Sequence, residues 1–134
     1  MLGLMHDVSR FHHATGEPDW HWKYKPVVPS PERVALRRQL IAEETMETLA
    51  AMDKGDLVEI ADGLADSIYV LIGTALEYGI PLHKIWDEVQ RSNMAKAGPD
   101  GKVLRREDGK ILKPLGWTPP DIKGILKAYG ADLD

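Results

Sequence analysis

Two stretches of this chain carry carboxylates at helical spacing: Glu43, Glu44 and Glu47, then Glu59, Asp62 and Asp66. Glu47 stands three residues after Glu44 and four after Glu43, and Asp66 four after Asp62, so within each stretch the acids share one helix face. The faces are otherwise apolar. Leu36 and Leu40 precede the first set at the same spacing, while Ile60, Leu64, Ile68 and Leu71 are expected as buried flanks of the second, with Tyr69 on its acidic side. Carboxylates on a stripe that a helix normally buries are costly unless positive charge lies between them. A hard divalent cation held by oxygen ligands is the natural compensation. Facing each other, the two sets would offer about four to six oxygens to one or two magnesium ions, which keep some waters and recruit phosphates. Pyrophosphate or nucleotide chemistry is the expectation. The competing reading is a pair of solvated acidic faces, and Glu59, three residues after Asp56, also fits a capping-box partner.

These residues need two long antiparallel helices to position them. Ser30 followed by Pro31 is a helix start, and the first helix should run to about Asp53, before Gly55, roughly 34 Å. Asp56 caps the next, which Gly79 and Pro81 close. A connection this short makes the two helices antiparallel neighbours, so their acidic faces can meet. Upstream, residues 2–15 read as a short helix with Leu4, Val8 and Phe11 inward and Gly16 as its stop. His12 and His13 are expected at a surface or interface. Trp20, Trp22 and Tyr24 alternate with His21, Lys23 and Lys25, the period of an extended segment. It would either stack on a base and touch phosphates or pack across a subunit boundary. Downstream, Pro81 opens a helix with Ile85, Trp86 and Val89 inward, ending near Lys96. Glu107-Asp108-Gly109 suggests a small hairpin or ordered loop, and Thr118-Pro119-Pro120-Asp121 starts a final helix through Tyr129.

At 134 residues, 43% apolar and 28% charged, the chain fits one globular domain. Long helices with few partners point to a homo-oligomer. Seventeen basic against 21 acidic residues give a charge of −4, so no nucleic-acid-binding surface is expected. No cysteine means no disulfide, thiolate nucleophile or cysteine zinc site. Met1 to Met5, followed by His6 and Asp7, is too short for a signal peptide, and nothing approaches a membrane span, so the cytoplasm is the expected compartment. Walker loop, dinucleotide fingerprint and Gly-x-Ser-x-Gly elbow are missing. A di-iron bundle requires Glu-x-x-His ligands, and no glutamate has a histidine three residues later.

Glu43-Glu44-x-x-Glu47, followed on the next helix by Ala65-Asp66-x-x-Tyr69-Val70, resembles the all-alpha nucleoside triphosphate pyrophosphohydrolases. That superfamily includes MazG, the dimeric dUTPases and phosphoribosyl-ATP pyrophosphohydrolase. Asp87-Glu88-Val89, Ser92-Asn93-Met94-x-Lys96 and Leu112-Lys113-Pro114-x-Gly116-Trp117-x-Pro119 are similar to its smaller members, so that the resemblance spans roughly residues 31–122. It implies an all-α antiparallel bundle completed by dimerisation, a single domain over 1–134 with its core at 31–97, and a homodimer or dimer of dimers. It also implies Mg2+-dependent cleavage, with Mn2+ as an alternative, between the α and β phosphates of a nucleoside triphosphate, dUTP or a non-standard one included. Carried over, Glu44, Glu47 and Asp66 match metal ligands, and Glu43 matches a glutamate that orients or deprotonates the attacking water. Crowding is expected to raise the pKa of Glu43, among other carboxylates, until metal binds. The family usually has glutamate three residues before the aspartate, where this chain has Gly63; Asp62 is the preferred replacement and Glu59 the other. Asn93, Lys96, Lys113, Trp117 and Tyr69 are the expected substrate contacts, although Lys96 also suits a helix C-terminus and Trp117 a core plug. The alternatives are a phosphoribosyl-ATP pyrophosphohydrolase, a non-catalytic nucleotide- or metal-binding regulator, and a dimerisation scaffold.

Overall fold

The computed structural model describes residues 1–19 and 25–134; Trp20, His21, Trp22, Lys23 and Tyr24, with the alternation read there, lie outside the described residues. Among those described are five helices and one small hairpin: α1 (Leu2–Thr15), α2 (Pro31–Lys54), α3 (Leu57–Tyr78), α4 (Leu82–Met94), β1 (Leu104–Arg105), β2 (Ile111–Leu112) and α5 (Ile122–Ala128). The chain is all-α, as its periodicity predicts. The strands pair antiparallel, Leu104 opposite Leu112, around a turn in which Gly109 takes φ 88°.

The ends of the two long helices follow local chemistry. Ser30 Oγ accepts the Arg33 amide at the start of α2, and Asp56 Oδ1 accepts the Glu59 amide at the start of α3. Gly55, between them, adopts φ 67°, left-handed backbone that a Cβ would disfavour. The resulting α2–α3 hairpin is the most extensive helix pair. α1 packs on α3, while α4 touches α1 and α5. At one point α2 and α3 come very close: a Cβ on Gly63 would lie 2.5 Å from Thr48 Oγ1 and 3.2 Å from Thr48 Cα. A glutamate at that position, which the resemblance leads one to expect, has no room.

The buried core is small and lies at the other end of the hairpin, where Met5 and Val8 of α1 meet Ile72 and Leu76 of α3. Several expected core positions are instead exposed: Leu64 at 53%, Ile68 and Leu71 at 49%, and Trp86 at 55%. α1 is rotated from its expected face, burying Met5, Val8 and His12 and leaving Leu4 and Phe11 exposed, because Ile72 and Leu76 meet it there. His12, expected at a surface or interface, is buried within the chain with its ring Nδ1 2.6 Å from the Pro18 carbonyl, while His13 is exposed. α4 ends at Met94 rather than Lys96.

α1 is tied to the hairpin by charge as well. Arg33 donates to both Glu17 and Glu77, and the buried Glu77 also lies 3.4 Å from Arg37 Nε. Arg37, itself buried, donates to Thr74 Oγ1 at 3.0 Å and to the Val70 carbonyl at 2.8 Å. Among the described residues, no helix is long and apolar enough to cross a membrane.

Candidate active site

α2 and α3 position the carboxylates without help from the other helices. Glu47, Glu59, Asp62 and Asp66, together with Ala50, Lys54 and Gly63, line one cavity of about 310 Å³. The acids from the two helices therefore converge, as their spacing requires of antiparallel neighbours. Glu44 adjoins this group. Burial raises its pKa above the ordinary carboxylate value, and the charges of Glu47, Asp66, Asp62 and Glu43 add to the effect. Its Oε2 atom is buried without a hydrogen-bond partner among the described residues. An orphaned buried oxygen is normally costly, and here it calls for a cation.

The arrangement fits a hard divalent ion by its chemistry, since every acidic donor is oxygen. It is not a finished cage. Among the described residues no three histidine, aspartate or glutamate side chains stand close enough to hold an ion as they are.

Glu59 occupies a different place from the one a capping box would give it. Asp56, whose amide it would have to cap, donates that amide to the Ala51 carbonyl at 3.2 Å. Glu59 instead lines the cavity with Asp62, one turn away. Gly63 is a contact residue of the helix pair, close against Thr48. Glu43 is exposed and its Oε1 accepts a hydrogen bond from Gln39 Nε2 at 3.0 Å.

The remaining expected contacts fall elsewhere. Trp117 is half-buried and its Nε1 donates to the Ser92 carbonyl at 2.7 Å. Lys113 Nζ lies 4.5 Å and Lys96 Nζ 5.7 Å from the centre of its ring, and Lys96 also donates to Asn93 Oδ1 at 3.0 Å. These four form a cluster of their own beside the end of α4, and none of them lines the acidic cavity. Tyr69, one turn beyond Asp66, packs edge to face on Phe11. Lys54 was missed by sequence reasoning although it stands seven residues after Glu47, two helical turns along the same face; it brings an ammonium group to the cavity wall.

Residues 8–93 match the family model described as phosphoribosyl-ATP pyrophosphohydrolase. The chain is 35% identical over 79 residues, 58% of its length, to an uncharacterised protein of Acanthamoeba polyphaga mimivirus. It spans about a third of the length of that curated relative, 32%. A crystal structure of a candidate NTP pyrophosphohydrolase from Exiguobacterium sp. 255-15 is 28% identical, with 94% of this chain and 92% of that chain covered at a TM-score of 0.49.

Proposed function

This chain belongs to the phosphoribosyl-ATP pyrophosphohydrolase family, and from that premise we propose that it is a divalent-metal-dependent nucleotide pyrophosphohydrolase. It hydrolyses the bond between the α and β phosphates of a nucleoside triphosphate to give the monophosphate and pyrophosphate. The observation that carries this reading is the convergence of Glu47, Glu59, Asp62 and Asp66 on one cavity beside the orphaned Glu44 Oε2. Glu44, Glu47, Asp62 and Asp66 would hold the cation, Mg2+ with Mn2+ as its substitute, and Glu59 offers a further oxygen on the same wall. A hard cation bound there supplies charge neutralisation on the phosphates and acidification of a bound water.

The chain's own groups do the rest. Water attacks one phosphorus of the anhydride, the bridging oxygen leaves with the other phosphoryl group, and Glu43 takes the proton that the water gives up. Gln39 donates a hydrogen bond to the Glu43 carboxylate. Lys54, on the cavity wall, receives phosphate oxygens and offsets their charge. Asn93, Lys96, Lys113 and Trp117 are proposed as further substrate contacts. Because they stand apart from the acidic cavity within one chain, they would act on substrate held at another copy or on a segment that closes. The whole chain works as one domain with its core over residues 31–97, as a homodimer or a dimer of dimers.

A second reading, hydrolysis of phosphoribosyl-ATP itself, is favoured by the description of the matched family. Both are tested by product analysis with purified protein, Mg2+ and a panel of canonical, deoxy and non-standard nucleoside triphosphates plus phosphoribosyl-ATP. Monophosphate and pyrophosphate are the expected products, lost on chelation of the metal. Glu47→Gln should lower the rate by more than about a hundredfold, since groups one step removed from a metal already cost 10- to 100-fold. Diphosphate plus phosphate would assign the wrong bond. No turnover on any of these substrates would leave a nucleotide- or metal-binding regulator.

A further inference from the structure

The faces that line the acidic cavity continue beyond it. On α2, Lys54, Glu47, Leu40 and Leu36 follow one another at intervals of seven, seven and four, so the leucines prolong the line of the carboxylate toward the helix start. On α3, Tyr69 and Val70 lie three and four residues past Asp66 and prolong the opposite wall. Between these walls lies a second cleft of about 330 Å³, closed at one side by Phe11 of α1. Leu36, Leu40, Tyr69 and Val70 all line it, and its size falls within the range of small-molecule sites. From Asp66 to Val70 the helix rises about 6 Å, a step comparable with the sugar that separates a nucleotide's phosphate from its base.

We propose that this cleft seats the base of the nucleotide and grips it by its faces rather than by its edges. The inference rests on the reading that phosphates occupy the acidic cavity. Phe11 and Tyr69 stand edge to face with ring centres 5.8 Å apart and planes at 77°, and they remain 54% and 39% exposed. An exposed aromatic pair at the mouth of an apolar cleft offers ring faces on which a planar ligand can stack. The polar side chains around the cleft hydrogen-bond to the protein. His12 Nδ1 pairs with the Pro18 carbonyl, Arg37 donates to Thr74 and Val70, and Glu17 accepts from Arg33. Phe11, Leu36, Leu40, Tyr69 and Val70 make up the larger part of the lining. Stacking of this kind tolerates any base, because every base has a π-face. The cleft therefore selects for the presence of a base and discriminates weakly among bases.

Phe11 is the only phenylalanine of the chain, so phenylalanine labelled with ¹³C in its ring gives a one-residue NMR reporter. Protein in Mg2+ is titrated with the monophosphates of adenosine, guanosine, cytidine and uridine, which carry no anhydride to cleave, and in parallel with ribose 5-phosphate, which has no base. All four nucleotides should shift the Phe11 signal, with affinities within about tenfold of one another, and ribose 5-phosphate should leave it in place. A shift of equal size with ribose 5-phosphate, no shift with any nucleotide, or a signal that moves only on dilution because a second copy covers the ring would each overturn the assignment. Phe11→Ala should raise KM about tenfold while kcat changes less than about twofold; a loss confined to kcat would also overturn it. The NMR readout requires no turnover. An inactive protein that still shows the nucleotide-specific shift would refute the catalytic reading and leave the cleft standing, whereas an active protein without it would do the reverse.

Discussion

At the scale of single residues, Glu44 ties the acidic cavity to folding. Its carboxylate is destabilised by burial and by four neighbouring acids, so its pKa in the folded protein lies above the ordinary value of 4.5. Between that value and the raised one the folded state holds more protons than the unfolded state, so stability falls as pH rises. The contribution is intact below pH 4.5 and is lost as pH rises through the folded pKa. In urea titrations of metal-free protein, wild type should therefore lose stability relative to Glu44→Gln over that interval. Added Mg2+ should close the gap at neutral pH, since it binds the folded state and replaces the missing positive charge. A difference between the two proteins that stays constant with pH, metal-free, would remove Glu44 from the acidic group.

At the scale of elements, the α2–α3 contact depends on Gly63 lying against Thr48. Gly63→Ala places a methyl group 2.5 Å from Thr48 Oγ1 and 3.2 Å from backbone of the facing helix. Overpacking of this kind costs about 1–3 kcal/mol, more than the gain from replacing a helical glycine, about 1 kcal/mol. The expected result in denaturant unfolding is a net loss of stability. Thr48→Ala in the same chain should recover part of it, because the hydroxyl goes while Thr48 Cα and Cβ remain. Unchanged or increased stability in Gly63→Ala would mean that the helices separate freely there. Glu59, Asp62 and Asp66, the α3 acids of the proposed site, line the cavity beside this contact.

For the whole molecule, the balance between core and surface is unusual. Met5, Val8, Ile72 and Leu76 form the buried apolar cluster, while Leu64, Ile68 and Leu71 on α3 and Leu49 and Met52 on α2 are about half exposed or more. Apolar surface gathered on one helix pair is the mark of an association site. A second copy of the chain is the occupant we expect, because the same helices then bury each other's flanks in a closed two-fold arrangement. Sedimentation equilibrium should give a mass of at least twice 15.0 kDa. Ile68→Glu should shift the protein toward monomer, since a carboxylate at the centre of such a face loses its water without a partner. A monomeric wild type at micromolar concentration would reject the expectation.

Much of this protein is legible in its sequence because its helices are punctuated locally. Ser30-Pro31, Gly55, Asp56 and Gly79 mark where α2 and α3 start and stop, and caps and left-handed glycines act within one turn of their own position. The all-α class, the antiparallel pair and the convergence of Glu47, Asp62 and Asp66 follow from those marks and from helical periodicity. What required the tertiary structure was every question of which face finds a partner. Periodicity identified the flanks Leu64, Ile68 and Leu71 as apolar but carries no information on whether the same chain covers them. It placed Phe11 inward, where α3 instead meets Met5, Val8 and His12. It allowed Glu59 to be a capping residue, until the Asp56 amide turned out to be committed to Ala51. Gly63 read as a missing ligand and is the point where two backbones approach. Spacing along a helix is a property of the sequence, whereas burial, free amides and room for a Cβ are set by the neighbours that packing brings.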